Sequence, residues 1–171
     1  SSTPILLPLA DHRSAVKSNH QRIFILLLTA GTLLRLFQWW YNRSLWVDEA
    51  MLALNIADLD FDRLLLPLQY DQVAPILFLW IEKSMVSLFG NNELSLRLFP
   101  MLCGIASLWL VHRVAWKATG DQRVAIVTLA VFALSRTFVY YATETKQYSS
   151  DLLTALVFFD ILLTDHPRKN I

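Results

Sequence analysis

Six residues, Leu45-Trp46-Val47-Asp48-Glu49-Ala50, set two adjacent carboxylates just past Trp39, Trp40 and Tyr41, the aromatic cluster that closes the first long apolar run. Charge beside hydrocarbon is costly, so carboxylates kept there are candidates for function. A carboxylate at such an edge can take the proton from an attacking hydroxyl. The competing role is local, because Asp and Glu in the first turn of a helix are favoured by the helix dipole. For the hexapeptide in isolation the helix start is the better account. Neighbouring helical residues point about 100° apart, so only one of Asp48 and Glu49 can face a given pocket, and Asp48 is the first choice.

Further polar residues recur along the chain: Asp71-Gln72, Arg97, and the loop Glu144-Thr145-Lys146-Gln147-Tyr148. Together with Asp48 and Glu49 they supply carboxylates able to act as a base and cations able to hold an anion. That pairing suits transfer from a phosphate-bearing lipid, with the carboxylate activating an acceptor hydroxyl and a cation stabilising charge on the leaving phosphate. Taken alone, the Glu144–Tyr148 stretch reads as an ordinary loop with a local ion pair of little worth.

The elements that would position these groups are apolar and long. Residues 1–22 are polar and mildly basic, with Arg13, Lys17 and Arg22, and read as a cytoplasmic tail. Ile23 to Trp40 is one membrane span ending in an aromatic belt. Arg35, in its outer part, is expected to snorkel to the headgroups. Residues 42–72 are too polar to span. A helix over Asp48–Leu66 would put Asn55, Asp58 and Asp62 on a solvated acidic face and Leu52, Ile56 and Leu59 on an apolar one, lying at the interface. Asn42-Arg43-Ser44 fits a glycosylation sequon but carries little weight so close to the membrane.

Val73–Phe89 is apolar at first, is interrupted by Glu82-Lys83-Ser84, and ends in the turn-forming Gly90-Asn91-Asn92. Leu94–Val111, Val124–Tyr141 and Asp151–Leu163 are the remaining spans, with Asp160 inside the last. If Val73–Phe89 does not cross, the N-terminal basics, the Arg113–Arg123 cluster and Arg168-Lys169 share the cytoplasmic side. Asp48, Glu49, Asp71, Gln72, Arg97, Glu144, Lys146 and Tyr148 then share the outer face. The expected fold is all-α and polytopic: about four transmembrane helices plus extracytoplasmic juxtamembrane amphipathic helices. Its parts are a tail (1–22), a membrane domain (23–165, with 42–93 as an outer loop) and a cytoplasmic end (166–171).

Composition narrows the function. Of the 171 residues 55% are hydrophobic, in long blocks, and only 17% are charged with near balance, so nucleic acid is not an implied partner. The single cysteine, Cys103, excludes a disulfide framework. GxGxxG and GxxxxGK[ST] are absent, and the four histidines fall on the cytoplasmic side. A transporter or flippase fragment is the alternative class, but such proteins place charge at the bilayer midplane, whereas these charges sit at one interface.

Four stretches in order carry a resemblance: Leu45–Ala50; Tyr70-Asp71-Gln72-Val73-Ala74-Pro75-Ile76-Leu77-Phe78; Phe89-Gly90-Asn91-Asn92-Glu93-Leu94-Ser95-Leu96-Arg97-Leu98-Phe99-Pro100; and Tyr141-Ala142-Thr143-Glu144-Thr145-Lys146-Gln147-Tyr148-Ser149. With the spans between them they resemble GT-C membrane glycosyltransferases, in particular the bacterial branch of the protein-mannosyltransferase-like and RgtA/B/C/D-like enzymes. The second stretch departs from the family's frequent Pro-Pro at Ala74-Pro75. The resemblance covers roughly residues 23–165, the N-terminal half or less of such an enzyme, so this portion alone is expected to be inactive. It implies inverting transfer of a sugar from a polyprenyl-phosphate donor to a glycan, lipid or protein acceptor, outside a bacterial inner membrane. It maps the base or acceptor-orienting carboxylate onto Asp48, with Glu49 as its neighbour. The residues near the carrier phosphate map onto Glu144, Lys146 and Tyr148. A divalent metal is left open, since family members differ.

Overall fold

The computed structural model of the chain describes the backbone of residues 9–165 and the side chains of 18–164. The side chains of Arg13 and Lys17, and all of residues 166–171, lie outside that range. Seven helices run in order among the described residues: α1 (Leu9–Tyr41), α2 (Val47–Asp58), α3 (Ile76–Phe89), α4 (Glu93–Thr119), α5 (Gln122–Leu134), α6 (Arg136–Tyr141) and α7 (Tyr148–Asp165). A single 3-10 turn, Arg63–Leu65, sits between α2 and α3. No strand occurs among the described residues, and the architecture is a partial polytopic membrane fold. Ser18–Tyr41 of α1 and the whole of α4 are each long and apolar enough to cross a membrane. The helix over Gln122–Leu134 is apolar but shorter.

The long helices pack side by side with alternating direction. At one end the Trp39 indole N–H donates to the Leu94 carbonyl at 3.0 Å, joining the end of α1 to the start of α4. At the other end the Phe24 and His112 rings lie 4.5 Å apart, and His112 meets Gln122 at 3.1 Å. Thus α1 and α5 run one way, and α4 and α7 run the other. Leu108, Leu110 and Val111 of α4, Leu129 and Ala133 of α5 and Leu156 of α7 form the buried seam between them. Gly31 lets α1 approach α5, since a Cβ there would sit 2.9 Å from the Ala133 methyl.

Residues 42–92 leave α1 and return to the start of α4 at the same end, so α3 does not exchange the two ends of the bundle. This stretch has its own core, in which Leu52, Ala53 and Ile56 of α2 meet Leu64, Phe78, Leu79 and Val86, with Leu96 of α4 closing it. Asn92 begins α4 by accepting the Ser95 N–H at 3.0 Å. Gly120, at φ 71°, ends it, as only a residue free to be left-handed does readily.

The helix of the first span reaches back to Leu9, so residues 9–22, read as a cytoplasmic tail, are helical and continuous with it. Three expectations are corrected. The outer helix stops at Asp58, not Leu66, and the chain turns at Leu59–Asp62, so Asp62 shares no face with Asn55. Asn55 is itself buried, and its amide pairs with the Gln69 backbone in both directions, at 3.1 and 2.8 Å. The span over Val124–Tyr141 is broken at Ser135, which has an extended ψ of 126°. There the Phe132 carbonyl, left without the helical N–H four residues on, accepts instead from Arg35 Nη2 at 3.0 Å. Arg35 therefore does not snorkel: it is 2% exposed and also donates to the Gly31 carbonyl at 3.0 Å.

Candidate functional site

The charged site forms at the end where α1, α4 and α6 stop or start, from three segments far apart in sequence. The first is the α1–α2 link. Asn42 turns the chain with φ 45°, and Arg43 follows, its guanidinium 4.3 Å over the Tyr140 ring. Val47 begins α2, and Glu49, the third helical residue, accepts the Trp46 N–H at 3.4 Å, half of a capping box. Its side chain is fully buried and makes further bonds. Arg43 Nη1 lies 2.8 Å from Oε2, Arg97 Nη2 lies 3.7 Å from the same oxygen, and the Thr145 N–H donates to Oε1 at 2.9 Å. Arg97, 1% exposed, also donates to the Arg43 carbonyl at 2.5 Å and to Asn42 Oδ1 at 3.3 Å. Glu49 is thus the internal counter-ion of two arginines, with no oxygen turned to solvent.

Asp48 faces the other way, and its side chain is 49% exposed. Lys146 Nζ lies 3.2 Å from Oδ2, and Gln72 Nε2 donates to Oδ1 at 3.3 Å. Lys146, almost buried, also donates to Gln72 Oε1 at 2.8 Å, so the three side chains close a ring. The Gln72 hydrogen bond first, and then Lys146, hold the Asp48 carboxyl below its ordinary range, keeping it ionised.

Gln72 is aimed by its loop. Tyr70 and Asp71 hold φ of 61° and 52°, left-handed values that cost non-glycine residues about 1–2 kcal/mol each. Asn55 pins the start of this turn through Gln69. Such strain in two successive residues marks a turn whose shape the surrounding structure imposes.

The third segment follows α6. A Cβ on Gly104 would lie 2.7 Å from the Ala142 methyl, so α4 admits the α6–α7 loop only because that position is glycine. Thr143, Glu144, Thr145 and Lys146 are all buried there. Glu144 Oε1 lies 3.5 Å from Arg43 Nη2. Burial, and then the neighbouring Glu49, push its carboxyl up to about 7 against the pull of Arg43, Lys146 and Arg97.

Of the residues singled out in the sequence, Asp48, Glu49, Gln72, Arg97, Glu144 and Lys146 therefore meet in one cluster. Asp71 is exposed and makes no hydrogen bond or ion pair with them. Together with Gln72 it lines an open apolar groove of about 630 Å³ beside Leu64, Leu66 and Val73. Tyr148 is also apart. Half exposed and edge-on to Tyr141 at 5.4 Å, it lines a cleft of about 340 Å³ with Arg35, Phe132 and Phe138. Arg43 is the residue that sequence reading passed over. Its signal was a lone cation between the aromatic belt and the acidic pair, hidden inside a glycosylation sequon. Among the described residues, no three His, Cys, Asp or Glu side chains form a ligand set for a metal ion.

An all-helical membrane fold that gathers buried ion pairs and one solvent-facing carboxylate at a single end defines a membrane protein with a polar site at the bilayer edge. Residues 73–166 match the family model of dolichyl-phosphate-mannose-protein mannosyltransferases, more than half of the chain, and the chain belongs to that family of membrane glycosyltransferases. It is 28% identical over 104 residues to an uncharacterized protein of Aquifex aeolicus (strain VF5), a stretch that is 59% of this chain and 20% of the relative. The chain thus spans about a fifth of that relative's length. No solved structure matches.

Proposed function

We infer that the whole protein to which this chain belongs moves a sugar from a polyprenyl-phosphate donor to an acceptor hydroxyl outside a bacterial inner membrane, with inversion. The single observation that carries this reading is the Asp48–Lys146–Gln72 ring: a half-exposed carboxylate held by a nearly buried ammonium at the membrane edge. The acceptor O–H gives its proton to Asp48 as its oxygen attacks the anomeric carbon. The bond from that carbon to the phosphate oxygen breaks, and its electron pair leaves on the lipid phosphate. Lys146 serves both partners. While it holds Asp48 it keeps the carboxylate a weak base. When the donor phosphate draws the ammonium away, Asp48 becomes more basic at the moment a base is needed.

Glu49, Arg43 and Arg97 form the support beneath. They fix the start of α2, which carries Asp48, against the Thr145 backbone, which carries Lys146. Glu144 shares Arg43 with Glu49. The cleft lined by Tyr148 and the groove beside Asp71 offer apolar surface on either side for the donor chain and the acceptor.

The test is turnover of a polyprenyl-phosphate sugar by the full-length protein in membranes. Asp48→Asn is expected to lower the rate by about a hundred- to ten-thousand-fold, the usual worth of one general base, with protein level unchanged. Lys146→Ala is expected to weaken donor binding. Normal turnover by Asp48→Asn would leave that residue as no more than a helix start.

A further inference from the structure

The opposite end of the bundle carries a second arrangement that the transfer reaction does not use. Along α4, Trp109, Arg113 and Trp116 follow one another at four- and three-residue spacing and so form one stripe. Trp109 is 47% exposed, Trp116 51%, and the Arg113 side chain 42%. Leu102, two turns back and half exposed, continues the stripe toward the middle of the helix. A soluble protein would not leave two tryptophans open in this way, but tryptophans at the end of a membrane span sit at headgroup depth.

Between the tryptophans the cation is held in one pose. Arg113 Nε donates to Asp160 Oδ1 of α7 at 2.8 Å, and its guanidinium carbon lies 5.1 Å over the Trp109 ring. Lys117, one turn on, lies 2.6 Å from the same Asp160 oxygen and donates to the Asp160 carbonyl and to Thr164. Lys117 thus uses all three of its N–H donors inside the protein. Arg113 uses one of five, and among the described residues none takes the other four. The carboxylate therefore orients the arginine without consuming its fork, and the pair of cations outweighs it by one charge. Arg22 and Arg123 add to the positive field at this end, against Asp121.

We propose that the Trp109–Arg113–Trp116 stripe is a binding site for the headgroup phosphate of an anionic phospholipid. The guanidinium fork matches two phosphate oxygens, the indoles flank the glycerol region, and an acyl chain runs along the stripe toward Leu102. Anionic lipid is the occupant on grounds of charge. A net positive, pre-oriented arginine at the basic end of a spanning helix has its complement in a negatively charged leaflet. The site is separate from the Asp48 cluster and does not depend on the reaction assigned to it.

The experiment is lipid retention by the full-length protein, read by native mass spectrometry after purification from nanodiscs of equal phosphatidylglycerol and phosphatidylcholine. The wild type is expected to retain phosphatidylglycerol in preference, and Arg113→Gln to lower that preference about fivefold, the worth of one juxtamembrane cation. Trp109→Leu is expected to lower it less. Arg123→Gln, at the same end but off the stripe, removes the same charge from the field and is expected to lower it less than Arg113→Gln; an equal loss would mean a diffuse field and no site, and would overturn the proposal. Adding millimolar inorganic phosphate should not displace the lipid, whereas displacement would make the site one for free phosphate and overturn the proposal. Equal retention of the two lipids by the wild type, or an unchanged preference in Arg113→Gln, would also overturn it. Circular dichroism of each variant shows that the helices are intact.

Discussion

Asp48 and Glu49 are adjacent and chemically alike, yet the structure gives them opposite tasks, so conservative amide substitutions should separate them. Glu49→Gln keeps the side-chain volume and one acceptor oxygen, so the Thr145 N–H bond at 2.9 Å survives. The substitution removes the negative charge on which Arg43 at 2.8 Å and the buried Arg97 at 3.7 Å converge. Taking one partner from a buried ion pair costs about 3–5 kcal/mol, because the remaining charge is left desolvated. For a domain of this size each kcal/mol moves the melting temperature by about 2–4 °C, so the fall should be about 6–20 °C. Asp48→Asn leaves Lys146 its second acceptor, Gln72, and alters a side chain already half in water, so melting should scarcely move. The assay is thermal unfolding of the purified full-length variants beside single-turnover transfer. The expected pattern is a double dissociation: Glu49→Gln melts low, and Asp48→Asn melts normally but is slow. If Glu49→Gln melts with the wild type, the carboxylate is not the counter-ion of Arg97, and the division of labour fails.

Two further outcomes concern protonation. The Glu144 carboxyl is raised to about 7, so the folded state prefers it neutral, and its contribution to stability is full below about pH 4.5 and is lost as pH rises through 7. Melting temperature followed from pH 5 to 8 should fall more steeply for the wild type than for Glu144→Gln, and parallel curves would exclude this residue as the source. Glu82 is fully buried between α3 and α4 with neither oxygen hydrogen-bonded, and burial holds its carboxyl well above the ordinary range. Glu82→Met should therefore stabilise the protein by about 1–3 kcal/mol, the cost of an unmet buried polar group, and the gain should grow as pH rises above about 4.5. A destabilised Glu82→Met, measured in denaturant, would mean that the carboxyl has a partner.

Much of the helix order could be read from the chain because apolar blocks and turn residues mark it plainly. Gly90-Asn91-Asn92 and Gly120-Asp121 stop and start helices where they were expected to. The break at Ser135 could not be read, since no proline or glycine signals it. The Phe132 carbonyl that the break frees is met instead by a tertiary bond from Arg35. Arg35 was misjudged for the same reason: snorkelling is the default for a lone arginine in a span, and only the broken helix offers it an internal carbonyl. The grouping of Asp48, Gln72 and Lys146 followed from their shared membrane face. The burial of Glu49 did not, because its partners Arg43, Arg97 and Thr145 lie 6, 48 and 96 residues away along the chain. The acidic face expected over Asn55, Asp58 and Asp62 failed because Asn55 is buried with its amide on Gln69, and because α2 ends at Asp58, ahead of Asp62.

The bond from the Thr145 N–H to Glu49 also has a bearing on how the protein is made. At a synthesis rate of about 5–20 residues per second, Thr145 follows Glu49 out of the ribosome after about 5–20 seconds. Until then the α1–α2 link holds Glu49, Arg43 and, later, Arg97 without the loop that buries them. These charges must stay hydrated while α4, long and apolar enough to cross a membrane, and then α5 are made behind them. The charged cluster is therefore one of the last parts of this portion to assemble. A nascent chain stalled before residue 145 should expose Arg43 to a water-soluble modifying reagent, and one stalled well beyond α7 should shield it.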